Sequence, residues 1–260
     1  MTTIEAIGRP ARTPGLLAAS GQVALRALRK YVRTPGLIIM AIVQSAMFLF
    51  SFRYVFGGAI HAGQTSYVDF LVPAYVATIV LFTGGGIAVA VAEDKVQGFT
   101  DRLLSLPVSR YSLVIGRALA DSTTNVWSIL TTAAFGFLFG FRLPATWLDG
   151  LAALGLCVAY AVVFTVVFMV MGLFAASVQA AQGMSLIAFV FAFISSAYVP
   201  ATSLPGWLQP FSKYQPITPM VDAVRSLLTG SSSDVGLALA WSALLVLVFT
   251  PVAALRYRRA

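Results

Sequence analysis

Apolar positions in this chain gather into six long stretches, at about residues 36–56, 70–92, 119–141, 148–175, 184–199 and 235–255, separated by short polar segments. Each stretch is close to the roughly 20 apolar residues an α-helix needs to cross a hydrocarbon core of about 30 Å. The first, GLIIMAIVQSAMFLFSFRYVF, follows Pro35 and has one charge, Arg53, near its far end, where the side chain can snorkel to the interface. The second is entered through the polar loop HAGQTSYVD and contains Gly84, Gly85 and Gly86, a triplet that reads as a site of close helix contact rather than a kink. The third and fourth are joined by RLPAT, a turn short enough only for a hairpin between antiparallel helices. The fifth follows the polar link SVQAAQG. Between the fifth and sixth, Pro200, Pro205, Pro210, Pro216 and Pro219 would break any lipid-exposed helix, so residues 200–234 are expected to fold as an outer cap or a re-entrant element, with Trp207 as an interfacial anchor.

These patterns predict an all-α membrane protein of six transmembrane helices, built as one domain over residues 1–260. Composition agrees: 59% of residues are hydrophobic, 10% are charged, and the mean hydropathy is +0.88. Residues 1–35 add a tail in which LLAASGQVALRALRKYVRTP mixes leucine and valine with arginine and lysine, as a helix lying in the interface against anionic headgroups would. That tail never sustains the apolar core of a signal peptide, so the N-terminus is expected to be retained.

Charge then gives an orientation. The formal net charge is +8, yet the basic residues flank apolar runs instead of forming a continuous patch, which argues for topology and against nucleic acid. Six spans put both termini on one side. With the termini inside, thirteen of the 17 Lys and Arg residues are cytoplasmic, and only Arg53, Arg142, Lys213 and Arg225 lie at or near the outer face. The positive-inside rule therefore predicts cytoplasmic termini. Cys157 sits alone in an apolar run and reads as packing; His61 reads as a solvated loop residue.

The segment EDKVQGFTDRLLSLPVSR, residues 93–110, lies between the second and third stretches, within an expected cytoplasmic loop of residues 93–118. It holds six of the chain's 26 formally charged residues. Val96, Phe99, Leu103 and Leu106 recur at helical spacing, Asp101 and Ser105 face the other way, and Pro107 ends the turn. This predicts a short amphipathic helix, suited either to docking on a partner or to capping a hairpin in solvent.

The run Glu93, Gly98, Arg102-Leu103-Leu104, Pro107-Val108-Ser109-Arg110 and Gly116-Arg117 resembles the first cytoplasmic loop of type 2 ABC exporter permeases, the daunorubicin-resistance type in particular. The segment Leu204-Pro205-Gly206-Trp207-Leu208, Gln215-Pro216-Ile217-Thr218, Ala223-Val224-Arg225 and Gly230 is similar to that family's late extracellular motif, with Gln215 where the family often has Asn. The resemblance implies a bacterial cell-membrane permease whose loop carries a coupling helix seated on a separate ABC ATP-binding subunit. Glu93, Gly98, Asp101, Arg102, Leu103, Leu104, Pro107 and Arg110 are the implied contacts. It also implies a second permease, identical or homologous, to complete a twelve-span unit.

The chain has no GxxxxGK[ST] loop and no Gly-Lys dipeptide, so it is expected to bind no cofactor itself; ATP and Mg would belong to the partner ATPase. A secondary transporter would place acids at mid-membrane, but only Asp121 approaches this, and Arg117 stands one turn before it as an ion-pair partner. A membrane-embedded enzyme would need clustered His, Asp or Glu, which the sequence does not offer. For cargo the sequence offers aromatics: Phe48 and Phe52, Tyr75 and Phe82, Phe189 and Phe193, in the first, second and fifth spans. In the resembled family these spans line the route near the dimer interface. A drug or lipid fits them, packing is the alternative reading for each ring, and polysaccharide-exporting relatives of the same architecture keep the cargo class open.

Overall fold

The structure is a computed structural model that describes residues 35–57, 66–98, 110–142, 146–230 and 235–256. The interfacial tail and the amphipathic segment 101–107 lie outside the described residues.

Among the described residues the chain is helical throughout, with no strand. α1 spans Pro35–Phe50 and continues into a π-helical segment, Ser51–Phe56. α2 is Tyr67–Val96, α3 Arg110–Leu138, α4 Trp147–Phe174 and α5 Val178–Ile194. A 3₁₀ turn, Ala201–Ser203, leads to the short α6, Gln209–Tyr214, then α7, Ile217–Thr229, and α8, Val235–Arg256. Among the described residues, four stretches are long and apolar enough to cross a membrane: Ile38–Val55, α2, α4 and α8. α5 is apolar but has 17 residues. α3 has 29, but Arg117, Asp121 and Asn125 make its first half polar.

Several boundaries differ from the apolar pattern, for local reasons. α2 runs on past Ala92 through Glu93–Val96, and α3 begins at Arg110, so both ends of the expected 93–118 loop are helical. Hydropathy marks where charge begins, and a helix that leaves the apolar zone does not stop there. α2 stops instead at Gly98, whose φ of +68° is the left-handed conformation glycine adopts freely. The third stretch was expected to run through residue 141, but α3 closes at Leu138 because Gly140 takes φ +94°. There Phe141 N–H donates to Gly136 O at 3.0 Å and Gly140 N–H to Phe137 O at 3.1 Å, the paired bonds of a Schellman stop. α4 begins with a capping box in which the Thr146 hydroxyl and the Asp149 carboxylate answer each other's backbone N–H groups. α5 starts six residues before the expected 184 because Ser177 caps it, its hydroxyl accepting from Ala180 N–H at 3.1 Å.

α2 is the axis of the bundle. It packs against α3, α4, α5 and α7, and 67% of its apolar stretch is buried, against 6% for α8. Close approach depends on missing side chains, since hydrocarbon outside the helices gives no hydrophobic drive and van der Waals fit must hold them together. The Phe168 ring of α4 lies on Gly84, so close that a β-carbon there would stand 2.1 Å from ring atoms. One β-carbon at Gly172 would meet Ala88 O at 2.4 Å, and one at Gly136 would meet Val72 at 2.5 Å. The glycine triplet is thus a contact site at Gly84 and more loosely at Gly85, while Gly86 faces open space.

Candidate functional site

The six aromatic side chains singled out from the first, second and fifth apolar stretches meet in one cluster. Phe48 stacks on Tyr75 at 4.1 Å between ring centroids and on Phe52 at 4.5 Å. Phe82 meets Phe48 edge-on at 5.4 Å, Tyr75 at 5.9 Å and Phe189 at 4.5 Å. Phe193 joins through Tyr198, which also contacts Phe48 and Phe52, each at 5.3 Å. Apart from the closer Phe48–Tyr75 stack, these separations are those of favourable offset and edge-to-face pairs. Each ring comes from a position that turns toward the α1–α2–α5 junction, so the cluster is a seam between helices.

Tyr198 is the member the apolar pattern did not single out. It lies beyond the end of α5, fully buried, and its hydroxyl is 2.6 Å from Thr78 Oγ1 on α2. Thr78 directs its own proton to Ala74 O at 2.8 Å, so Tyr198 is the donor between the two. The signal that could have found it is its place five residues after Phe193, in the same apolar stretch.

A polar chain crosses the bundle beside the seam. Thr83 on α2 donates to Asn125 Oδ1 on α3, Asn125 Nδ2 donates to Thr165 Oγ1 on α4 at 3.0 Å, and Thr165 donates to Ala161 O at 2.7 Å. Every proton in this sequence points the same way. A second polar link joins Ser45 on α1 to Thr132 on α3 at 2.9 Å.

Charge is collected at the end of the bundle where α2 finishes. Asp94 pairs with Arg117 on α3, and Arg117 also lies 3.4 Å from Asp121, the i,i+4 pairing read from the sequence. Lys95 Nζ donates to Leu173 O at 3.3 Å and to Ala175 O at 3.1 Å, answering carbonyls at the end of α4 that have no helical partner. Arg256, the last residue of α8, stands over the Phe174 ring at 5.1 Å. One turn therefore ties the last turn of α2 to α3 and α4. Of the residues assigned to the partner contact, Glu93 is exposed in that turn, Gly98 ends it, and Arg110 opens α3. Asp101, Arg102, Leu103, Leu104 and Pro107 lie outside the described residues.

At the opposite end, α7 is inserted among α2, α4 and α8 and is largely buried. Arg225 anchors it: the guanidinium donates to Asp222 at 2.8 Å and to Ser196 O at 3.1 Å, and lies over the Phe70 ring at 4.0 Å. Burial holds the Arg225 pKa below its ordinary value despite Asp222. Burial also raises that of Asp222, with Arg225 and the Ser196 hydroxyl opposing. Gln215 donates to Phe191 O at 2.9 Å, joining the α6–α7 corner to α5. Trp207 is 80% exposed.

Among the described residues, long apolar helices in glycine-to-ring contact, with charge gathered toward the bundle's ends and polar links between helices inside, define a multi-pass helical membrane protein. The chain belongs to the ABC-2 type transporter family, which it matches over residues 21–229. It is similar to the daunorubicin resistance ABC transporter permease protein DrrB1 of Streptomyces coeruleorubidus, with 28% identity over 260 residues covering 99% of this chain and 92% of that protein. It is also similar to the probable doxorubicin resistance ABC transporter permease protein DrrC of Mycobacterium tuberculosis, 27% identical over 239 residues, 90% of this chain and 86% of that one. The probable multidrug ABC transporter permease YbhR of Escherichia coli K12 is 27% identical over 187 residues, 68% of this chain and 48% of its own length.

Proposed function

We propose that this chain is the permease subunit of an ATP-driven exporter that moves a hydrophobic or amphipathic compound, of drug-like or lipid chemistry, out of the cytoplasm or inner leaflet. The observation that carries this reading is the convergence of Phe48, Phe52, Tyr75, Phe82, Phe189 and Phe193 on one seam, in a chain whose relatives are named for drug resistance. Flat aromatic cargo can replace ring-on-ring contacts in such a seam at little cost, because stacking is a property of any π face. In the resting arrangement the rings close on each other, so passage requires α1 or α5 to move.

The energy comes from a separate ATP-binding subunit, and the six apolar stretches act as six spans with both termini in the cytoplasm. The segment from Glu93 to Arg110 is the coupling element. A push on it reaches α3 and α4 directly, through Asp94–Arg117 and Lys95–Ala175. α1 and α5 carry exposed apolar side chains beside the seam, including Met40, Met47, Leu186 and Val190, where a second permease would pack. No residue here supplies catalysis; Mg and ATP act on the partner.

Co-expression with the cognate ATPase tests this. The purified pair is expected to hydrolyse ATP and to extrude an anthracycline from membrane vesicles, while the chain alone does neither. Arg102→Glu with Leu103→Ala should reduce copurification of the ATPase while leaving the chain folded. ATP turnover by the isolated chain, or undiminished copurification of the variant, overturns the reading.

A further inference from the structure

The face of α2 that carries Val72 and Val76 lies roughly a quarter-turn from the face that carries Tyr75 and Phe82, at about 100° per residue. On that side the bundle holds a cavity of about 350 Å³, walled by α2, α3, α4 and α7 at the end where α7 is inserted. Its deep wall includes Val76, Cys157 and Val224; its mouth is formed by Phe137, Trp147 and Leu151, all exposed, Trp147 by 82%. A space this size is at the small end of sites that hold ligands, and one lined by apolar atoms does not hold water well. In a membrane the medium at this mouth is hydrocarbon.

The rim is cationic. Arg142 is exposed and directly follows Phe141, itself a lining residue. The Arg53 guanidinium lies over Gly140, its two terminal nitrogens 3.5 and 3.9 Å from where a β-carbon would stand. Neither arginine has a carboxylate within 4.0 Å among the described residues, whose ion pairs involve Arg117 and Arg225 only. Asp149, at the same end of α4, is occupied by its capping box with Thr146. Two cations without a carboxylate partner among the described residues, Arg53 standing also 5.2 Å over the Tyr54 ring, beside an apolar pocket match one chemistry: an anionic head on a hydrocarbon tail.

We propose that this pocket is a binding site for an anionic phospholipid, one acyl tail entering past Trp147 and Leu151 and the phosphate held by Arg53 and Arg142, separate from the aromatic seam.

Native mass spectrometry of the full chain in mild detergent, offered phosphatidylglycerol and phosphatidylcholine with identical tails, tests it. The wild type is expected to retain one phosphatidylglycerol in preference to phosphatidylcholine. Arg53→Gln with Arg142→Gln should bring the two lipids to parity, and Ala134→Phe, which fills the pocket from an exposed lining position, should abolish retention of both. A phosphatidylglycerol with a diazirine at the tail end should label Leu154, Cys157 or Leu228. Equal retention by the Ala134→Phe chain, unchanged preference in the double arginine variant, or labelling confined to exposed α8 residues such as Leu247 and Val248 overturns the site.

Discussion

The Lys95 ammonium lies 3.1 Å from the carbonyl oxygen of Ala175, so the last turn of α2 is fastened to the end of α4 across 80 residues of sequence. The bond places a cation on the negative end of the α4 dipole, an effect worth about 0.3–1 kcal/mol when solvent has access. Lys95→Met keeps the aliphatic stem and removes the charge. It is expected to lower thermal stability in detergent by about 1–4 °C, on the usual scaling for a chain of this size. The functional loss should be larger: ATP turnover in the assembled transporter should uncouple from export, because force entering at the loop no longer reaches α4. Melting curves and a transport-to-hydrolysis ratio together check this.

Gly98 gives a cleaner test of the same junction. A β-carbon there would meet nothing within 4 Å among the described residues, so the penalty expected at this position is conformational. Alanine at φ +68° should cost about 1–2 kcal/mol, whereas asparagine, which tolerates the left-handed region, should cost less. Gly98→Ala is therefore expected to reduce ATPase copurification, and Gly98→Asn to restore most of it. Equal loss in both would mean the site needs the absence of a side chain, not the backbone turn.

The helical stretches, the Arg117–Asp121 pair and the glycine contact were legible because each is written in local spacing. The seam was legible in part: six rings of the first, second and fifth stretches were singled out, whereas Tyr198, inside the same fifth stretch, was not, because its tie to the seam runs through a hydroxyl bond to Thr78, 120 residues away, that spacing does not show. Thr83, Asn125 and Thr165 left no mark of this kind. They are about 40 residues apart in turn, each is an unremarkable polar residue in its own helix, and only the rotation of three helices about their axes brings them together. The lipid pocket was hidden for the same reason, since its walls come from four helices. The ends of α3 and α5 were misplaced where Gly140 and Ser177, not hydropathy, decided them.

Asn125→Leu breaks the polar chain, and a modest cost is expected. Thr165 keeps its bond to Ala161 O at 2.7 Å, and the Thr83 proton, freed from Asn125, turns to Ile79 O 3.2 Å away, so neither is left orphaned. Buried polar contacts between membrane helices average about 0.6 kcal/mol in double-mutant cycles, and a loss near that value is expected here. A denaturation series in mixed detergent checks it; a loss of several kcal/mol would mean that Asn125 holds more than these two partners.

The glycine triplet supports a paired test within one helix. Gly84→Ala drives a methyl group into the Phe168 ring and should cost about 1–3 kcal/mol, as overpacking does. Gly86→Ala meets nothing within 4 Å and should be neutral or stabilising by up to about 1 kcal/mol, the helix-propensity gain of alanine over glycine. Opposite signs at positions two residues apart, read from Tm in the same detergent, would distinguish a packing contact from a general need for flexibility in α2.

Arg225 is where the largest single loss is expected. Its side chain is 15% exposed, pairs with Asp222 within α7, and joins α7 to the Ser196 carbonyl and to the Phe70 ring, so one side chain holds the inserted helix to α2 and to the segment after α5. Removing one partner of a buried pair costs about 3–5 kcal/mol, mostly for the charge left behind. Arg225→Leu should fall at the lower end of that range, because Asp222 keeps 40% of its side chain exposed and can recruit water. Arg225→Lys should recover only part, since an ammonium cannot span carboxylate, carbonyl and ring as a planar guanidinium does. Adding Asp222→Leu to Arg225→Leu should restore stability relative to the single change, because no unpaired carboxylate remains. A double variant as unstable as the sum of the two singles would show that the bonds to the backbone and the ring, not the ion pair, hold α7 in place.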